Sequence, residues 1–94
     1  MVQTVKRVSH SHRGRLDIIA DILTASFDGV KKTFLMYRCN LSFKQLKHYL
    51  EFMLRKRLLR IVAGDDGANP GLFEITDKGR AFLKNYKGLK ALMK

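Results

Sequence analysis

Ser42-Phe43-Lys44-Gln45 has the pattern S-x-x-Q. In that pattern a serine hydroxyl takes the backbone amide of the third helical residue, and the glutamine side chain reaches back to the serine's own amide. A helix is therefore expected to start at Phe43. At about 100° per residue, Lys44, Lys47, His48 and Arg55 fall with Glu51 on one face of it, opposite Phe43, Leu46, Tyr49, Leu50, Met53 and Leu54. Side chains of this kind suit polyanions: lysine and arginine as point or forked donors to phosphate, glutamine and histidine as readers of base edges. Ser42 caps the helix, and the amide end it caps can hold a phosphate as well. Arg57 and Arg60 extend the basic run past the helix. The expected contact set is Ser42, Lys44, Gln45, Lys47, His48, Arg55, Arg57 and Arg60.

Other chemistries find less support. His10-Ser11-His12 supplies two imidazoles where a stable zinc site takes three or four ligands, so no metal is expected. Cys39 is the single cysteine and has no histidine or acid obviously paired with it. It reads as a small core residue rather than a nucleophile. No catalytic residue and no cofactor are expected. With one cysteine, no apolar leader and no apolar run near the ~18 residues of a membrane span, the expected location is cytoplasmic and, given the charge, nucleoid-associated.

That charge is +11 over 94 residues, from 19 Lys and Arg against 8 Asp and Glu. It is too large to be matched internally and points to a polyanionic partner. Its distribution says more than its total. Residues 1–15 carry Lys6, Arg7, Arg13 and Arg15 with no acid, and residues 16–40 are neutral. Residues 41–60 hold six cations against Glu51, residues 61–76 hold only Asp65, Asp66 and Glu74, and residues 77–94 hold six cations against Asp77.

The elements that would position these residues follow from periodicity and stop signals. Residues 1–14 have no sustained period and read as a basic arm. Leu16, Ile19 and Leu23, with Ile18 and Ile22 beside them, give a first helix over about 15–27 that Asp28-Gly29 ends. Val30 makes a minimal strand. A short second helix over about 32–39 is expected to bury Leu35, Phe34 and Cys39. Asn40 suits the left-handed position after it, and Leu41 plugs the turn. After the third helix, Leu58–Ala63 and Leu72–Ile75 read as a hairpin around the turn-rich 64–71, and Thr76-Asp77 caps a last helix running to the C-terminus. Phe52 falls on the polar side of the third helix, where an aromatic calls for a packing partner. On the last helix, Phe82, Tyr86, Leu89 and Met93 form a narrow apolar seam like that of a coiled coil, an expected dimerisation surface.

Three helices followed by a hairpin, with the second and third helices joined tightly, describe an α+β winged helix-turn-helix. The expected division is arm 1–14, winged domain 15–76 and C-terminal helix 77–94. The segments RLDIIADIL (15–23), KKTFLMYRCNLSFKQLKHYLEFML (31–54) and FEITDKGRAFL (73–83) make the chain similar to a family of small archaeal winged-helix DNA-binding proteins. That resemblance implies non-enzymatic binding of double-stranded DNA, in transcription regulation or as a chromatin-associated factor. It also implies a homodimer, some members pairing through antiparallel C-terminal helices. Two features depart from it: Gly88 lies inside the last helix, and Asp65 and Asp66 make the wing tip acidic. The alternatives are a protein-interaction module in a transcription or RNA-processing assembly, which Phe52 and the acidic wing motivate, and RNA binding. RNA binding fits less well, since no strand carries an aromatic platform for stacking bases.

Overall fold

A computed structural model describes residues 13–63 and 71–93. The arm up to His12, with His10, and also Asp65, Asp66 and Lys94, lie outside the described residues. The elements run α1 (Arg15–Ala25), α2 (Lys32–Arg38), α3 (Phe43–Arg55), β1 (Leu59–Val62), β2 (Leu72–Ile75) and α4 (Asp77–Leu92). β1 and β2 pair antiparallel with Leu59 opposite Ile75 and Val62 opposite Leu72. Val30 adds a single bridge to the free edge of β2, exchanging both backbone hydrogen bonds with Phe73 at 2.9 and 2.8 Å. This is the winged-helix fold that the order of elements implies.

The core lies where α1, α2 and α3 converge on the base of the hairpin. Ile22, Leu23, Leu35, Leu46 and Met53 are fully enclosed, each contributing about 1.5–3 kcal/mol by leaving water. Leu41, buried between α2 and α3, plugs the turn. α4 packs back on α1 through Leu83, Phe82 and Tyr86. Gly79 lets this happen: a Cβ there would fall on the Leu58 carbonyl oxygen and come within 2.8 Å of Ile75 Cγ1.

Both inner helices end in the same way. After α2, Leu41 N–H donates to Met36 O at 3.0 Å and Asn40 N–H to Tyr37 O at 3.3 Å; after α3, Leu58 N–H donates to Met53 O at 2.9 Å and Arg57 N–H to Leu54 O at 3.0 Å. This paired pattern needs a left-handed residue at the turn. Asn40 fills it with φ 55° and Arg57 with φ 63°.

Two expected core residues are not in the core. Phe43, 55% exposed, stands in the first turn of α3, and its ring lies under Lys32 Nζ at 4.8 Å. Phe34, 48% exposed, points out beside Val30 and Leu72. Cys39 is buried as expected, and that burial, helped by the nearby Asp21, pushes its thiol up to about 11. Phe52 finds its partner within the chain: it is half-buried against the core and flanked by Arg55 and Lys56, 5.9 and 6.0 Å from its ring centre. α1 stops at Ala25, two residues early; Ser26, its buried C-cap, donates its backbone N–H to Leu23 O at 3.1 Å and its hydroxyl to Ile22 O at 2.6 Å. Its carbonyl, released from the helix, accepts from Ile75 N–H at 2.9 Å.

Candidate nucleic-acid interface

The start of α3 is built as its sequence dictates. Gln45 N–H donates to Ser42 Oγ at 3.1 Å, and Ser42 N–H donates to Gln45 Oε1 at 2.9 Å. Two of the helix's unpaired amides are thus satisfied and its first turn is fixed. Behind it, Leu46, Leu50 and Met53 anchor the inner face, so Lys44, Lys47, His48 and Arg55 are all turned to solvent. The row is straight but long: Lys44 and Arg55 are about 16 Å apart along the axis. His48 is held edge-on to Tyr49, ring centres 5.7 Å apart.

The eight residues expected to bind do not form one patch. Ser42, Lys44, Gln45, Lys47 and His48 crowd the first two turns of α3. Arg57 and Arg60 lie instead at the base of the hairpin, where they line a cleft with Thr76, Lys78 and Arg80. Arg60 gives much of its charge to Glu74, with Nε and Nη2 donating to Oε1 at 2.8 and 2.6 Å. Arg80 covers the Phe27 ring at 5.0 Å. Arg57 holds a left-handed backbone that costs an L-residue about 1–2 kcal/mol, a strain that glycine would relieve and that tends to persist where the side chain has a task.

Two cations missing from the expected set stand next to α3. Lys31 and Lys32 open α2 and line a second cleft with Thr33, Ile61, Gly71 and Phe73, between α2 and the hairpin. Through its contact with Phe43, Lys32 joins this corner to Lys44. The sequence shows the pair Lys31-Lys32 side by side; in the structure Lys31 is the N-cap of α2 and makes no side-chain cap, and two cations at a helix N-terminus oppose the helix dipole. Residues 16–40 sum to zero charge, so the segment total gives no sign of these two lysines.

The seam of α4 divides in two. Phe82 and Tyr86 stack at 6.4 Å, 8° from parallel, and are half-buried against α1. The Tyr86 hydroxyl donates to Asp17 Oδ1, which Lys90 Nζ also approaches at 3.4 Å. Burial and then this bond raise the Tyr86 hydroxyl to about 12. The bond from Tyr86, then the Gly14 N–H and Lys90, hold the Asp17 carboxyl below its usual value despite some desolvation. Leu89 and Met93, by contrast, are 57% and 77% exposed.

Among the described residues no three His, Cys, Asp or Glu side chains gather as a metal would require, and no helix is long and apolar enough to cross a membrane.

Comparison with known proteins agrees with this architecture. The family described as winged helix-turn-helix matches residues 12–94. Among solved structures, the chain is similar to Sso10a-2, a DNA-binding protein from Sulfolobus solfataricus, with a TM-score of 0.75 and 22% identity over 86% of this chain and 82% of that one. It is also similar to the M. tuberculosis transcriptional regulator MosR in complex with DNA, with a TM-score of 0.62 and 23% identity over 98% of this chain and 78% of that one. A mutant of S. aureus MepR gives a TM-score of 0.75 at 12% identity, over 98% and 77% of the two chains. No curated protein matches the chain in sequence.

Proposed function

The chain belongs to the winged helix-turn-helix family, and from that premise we propose that it is a non-enzymatic protein that binds double-stranded DNA by laying the first two turns of α3 in the major groove. The observation that carries this reading is the capped, exposed and cationic start of α3, with Lys31 and Lys32 beside it. Lys44 and Lys47 neutralise phosphates on one side of the groove and Lys31 and Lys32 on another, while Gln45 and His48 face base edges. Ser42 holds the helix start and offers a phosphate its hydroxyl. Arg55, Arg57 and Arg60 extend the phosphate track toward the base of the hairpin. The Sulfolobus DNA-binding protein and the M. tuberculosis regulator in complex with DNA, to both of which the chain is similar, support the same partner.

The protein works as a homodimer in this reading, a transcription regulator or architectural factor of the nucleoid in the manner of the small archaeal members of the family. Leu89 and Met93, joined by Leu92 at 81% exposure, make an apolar end of α4 that a second copy would cover. Phe82 and Tyr86 contribute indirectly, by fixing α4 on α1. Two α3 helices related by a two-fold axis then address half-sites about one helical turn or more apart.

Chemical-shift mapping with a random-sequence duplex tests the partner and the face together. The expected perturbations centre on residues 31–33 and 42–48; perturbations confined to α4 would contradict the assignment. A second reading, docking of a protein partner, draws on the exposed Phe34 and Tyr37 beside Val30 and Leu72. Binding of a protein partner through these residues, with no duplex binding at physiological salt, would favour it.

A further inference from the structure

Phe43 is the first residue of α3 and is 55% exposed, while Leu46 and Leu50 behind it are buried. The helix itself gains little from a phenyl ring there, since proline or an acid suits the first helical position better. Side chains on a helix tilt toward its N-terminus, so the ring stands at the leading end of α3, where Ser42, Lys44, Gln45 and Lys47 are exposed as well. The capping box fixes that end through Ser42 and Gln45 alone, at 3.1 and 2.9 Å, with no part played by the side chain at 43. From α2, Lys32 Nζ stands over the ring, 4.8 Å from its centre. Lys47, four residues on, is its neighbour on the helix surface. The ring is thus an apolar group set among cations, at the end of the helix that the DNA-binding reading puts in the groove.

The chemistry of the groove narrows what such a ring can meet. Base edges there present hydrogen-bond donors and acceptors, which a phenyl ring cannot bond and would desolvate at a cost. The C5-methyl group of thymine is the apolar exception. Lys32, Lys44 and Lys47 around the ring favour a polyanion over an apolar protein surface as the partner that covers it.

We propose that Phe43 is a specificity-determining contact that covers the methyl group of a thymine in the major groove, with Lys32 holding the ring on one side and a phosphate on the other. This rests on the DNA-binding reading above and adds to it one residue and one base.

Deoxyuridine pairs as thymine does but lacks the methyl group, so it tests the contact without altering the protein. Duplexes retained by the wild type from a random pool would be sequenced, and the best of them remade with deoxyuridine at each thymine in turn. A thymine is expected to recur at one position of the site, and deoxyuridine there to weaken wild-type binding about fourfold, the worth of burying one methyl-sized group. Phe43→Ala, with its melting temperature as the check on folding, is expected to bind the thymine duplex more weakly and to lose nothing further with deoxyuridine, the mark of two groups in direct contact. Should Phe43→Ala fold poorly, the deoxyuridine series on the wild type decides alone. No recurring thymine, no loss with deoxyuridine at any position, or the same loss in wild type and in folded Phe43→Ala would overturn the inference while leaving DNA binding intact. Failure of the wild type to retain any duplex would remove both.

Discussion

Replacing Arg57 with glycine sets the stability of the α3 terminus against affinity for DNA. Arg57 sits at φ 63° in the turn that closes α3, and its backbone bonds to Leu54 and from Leu58 to Met53 do not involve the side chain. Glycine keeps those bonds and removes a strain of about 1–2 kcal/mol, but it loses about 0.5–1 kcal/mol more conformational entropy on folding. The difference leaves Arg57→Gly roughly 0.5–1 kcal/mol more stable, a rise in Tm of roughly 2–8 °C for a chain of this size. Affinity should move the other way. If about six phosphates are neutralised per bound unit, log K falls with log salt at a slope near −5, and loss of one contact makes that slope shallower by about 0.9. Urea unfolding and fluorescence anisotropy on a labelled duplex at several salt concentrations measure the two effects. A destabilised variant would mean the guanidinium makes a stabilising contact in the free protein; an unchanged slope would take Arg57 out of the phosphate track.

Gly79→Ala should destabilise by about 1–3 kcal/mol in urea unfolding, because α4 must back away from the Leu58 carbonyl, Ile75 and Leu23; an effect near zero would show that α4 docks more loosely than described. Tyr86→Phe removes the largest cause of the lowered Asp17 pKa. A depressed carboxylate contributes stability that is present above its unfolded value and lost as pH falls through the folded one. The wild type should therefore lose more Tm than Tyr86→Phe between about pH 6 and about pH 3, and equal losses would contradict the pairing. Leu89→Lys, at an exposed position, should melt like the wild type yet sediment as a monomer where the wild type sediments as a dimer; a monomeric wild type at tens of micromolar would assign this end of α4 to another role.

Local signals carried most of the fold. The S-x-x-Q box places the start of α3 at Phe43 and Asn40 takes the left-handed turn, because each depends on a few neighbouring residues. Contacts that depend on reach were harder to read. A helical period gives the direction of a side chain but not whether anything lies opposite, so Phe43 and Phe34 shared an apolar pattern with Leu46 and Leu35 without sharing their burial. The α4 seam suffers the same ambiguity: its spacing cannot tell α1 from a second copy, and the structure gives Phe82 and Tyr86 to α1 while leaving Leu89 and Met93 open. Arg57 was recognisable as basic but not as left-handed, since no glycine or asparagine marks that turn. Lys31 and Lys32 were hidden by segment charge, which cancels acids and bases that folding places on different sides.

The most direct measurement is the affinity of the wild type and of Lys44→Glu/Arg55→Glu for a random-sequence duplex across a salt series, with circular dichroism confirming that both are folded. Binding through the outer row of α3 requires a wild-type slope of log K against log salt near −5, and loss of binding in the double variant without change in its melting. A slope near zero, or a double variant that binds as tightly as the wild type, would contradict it.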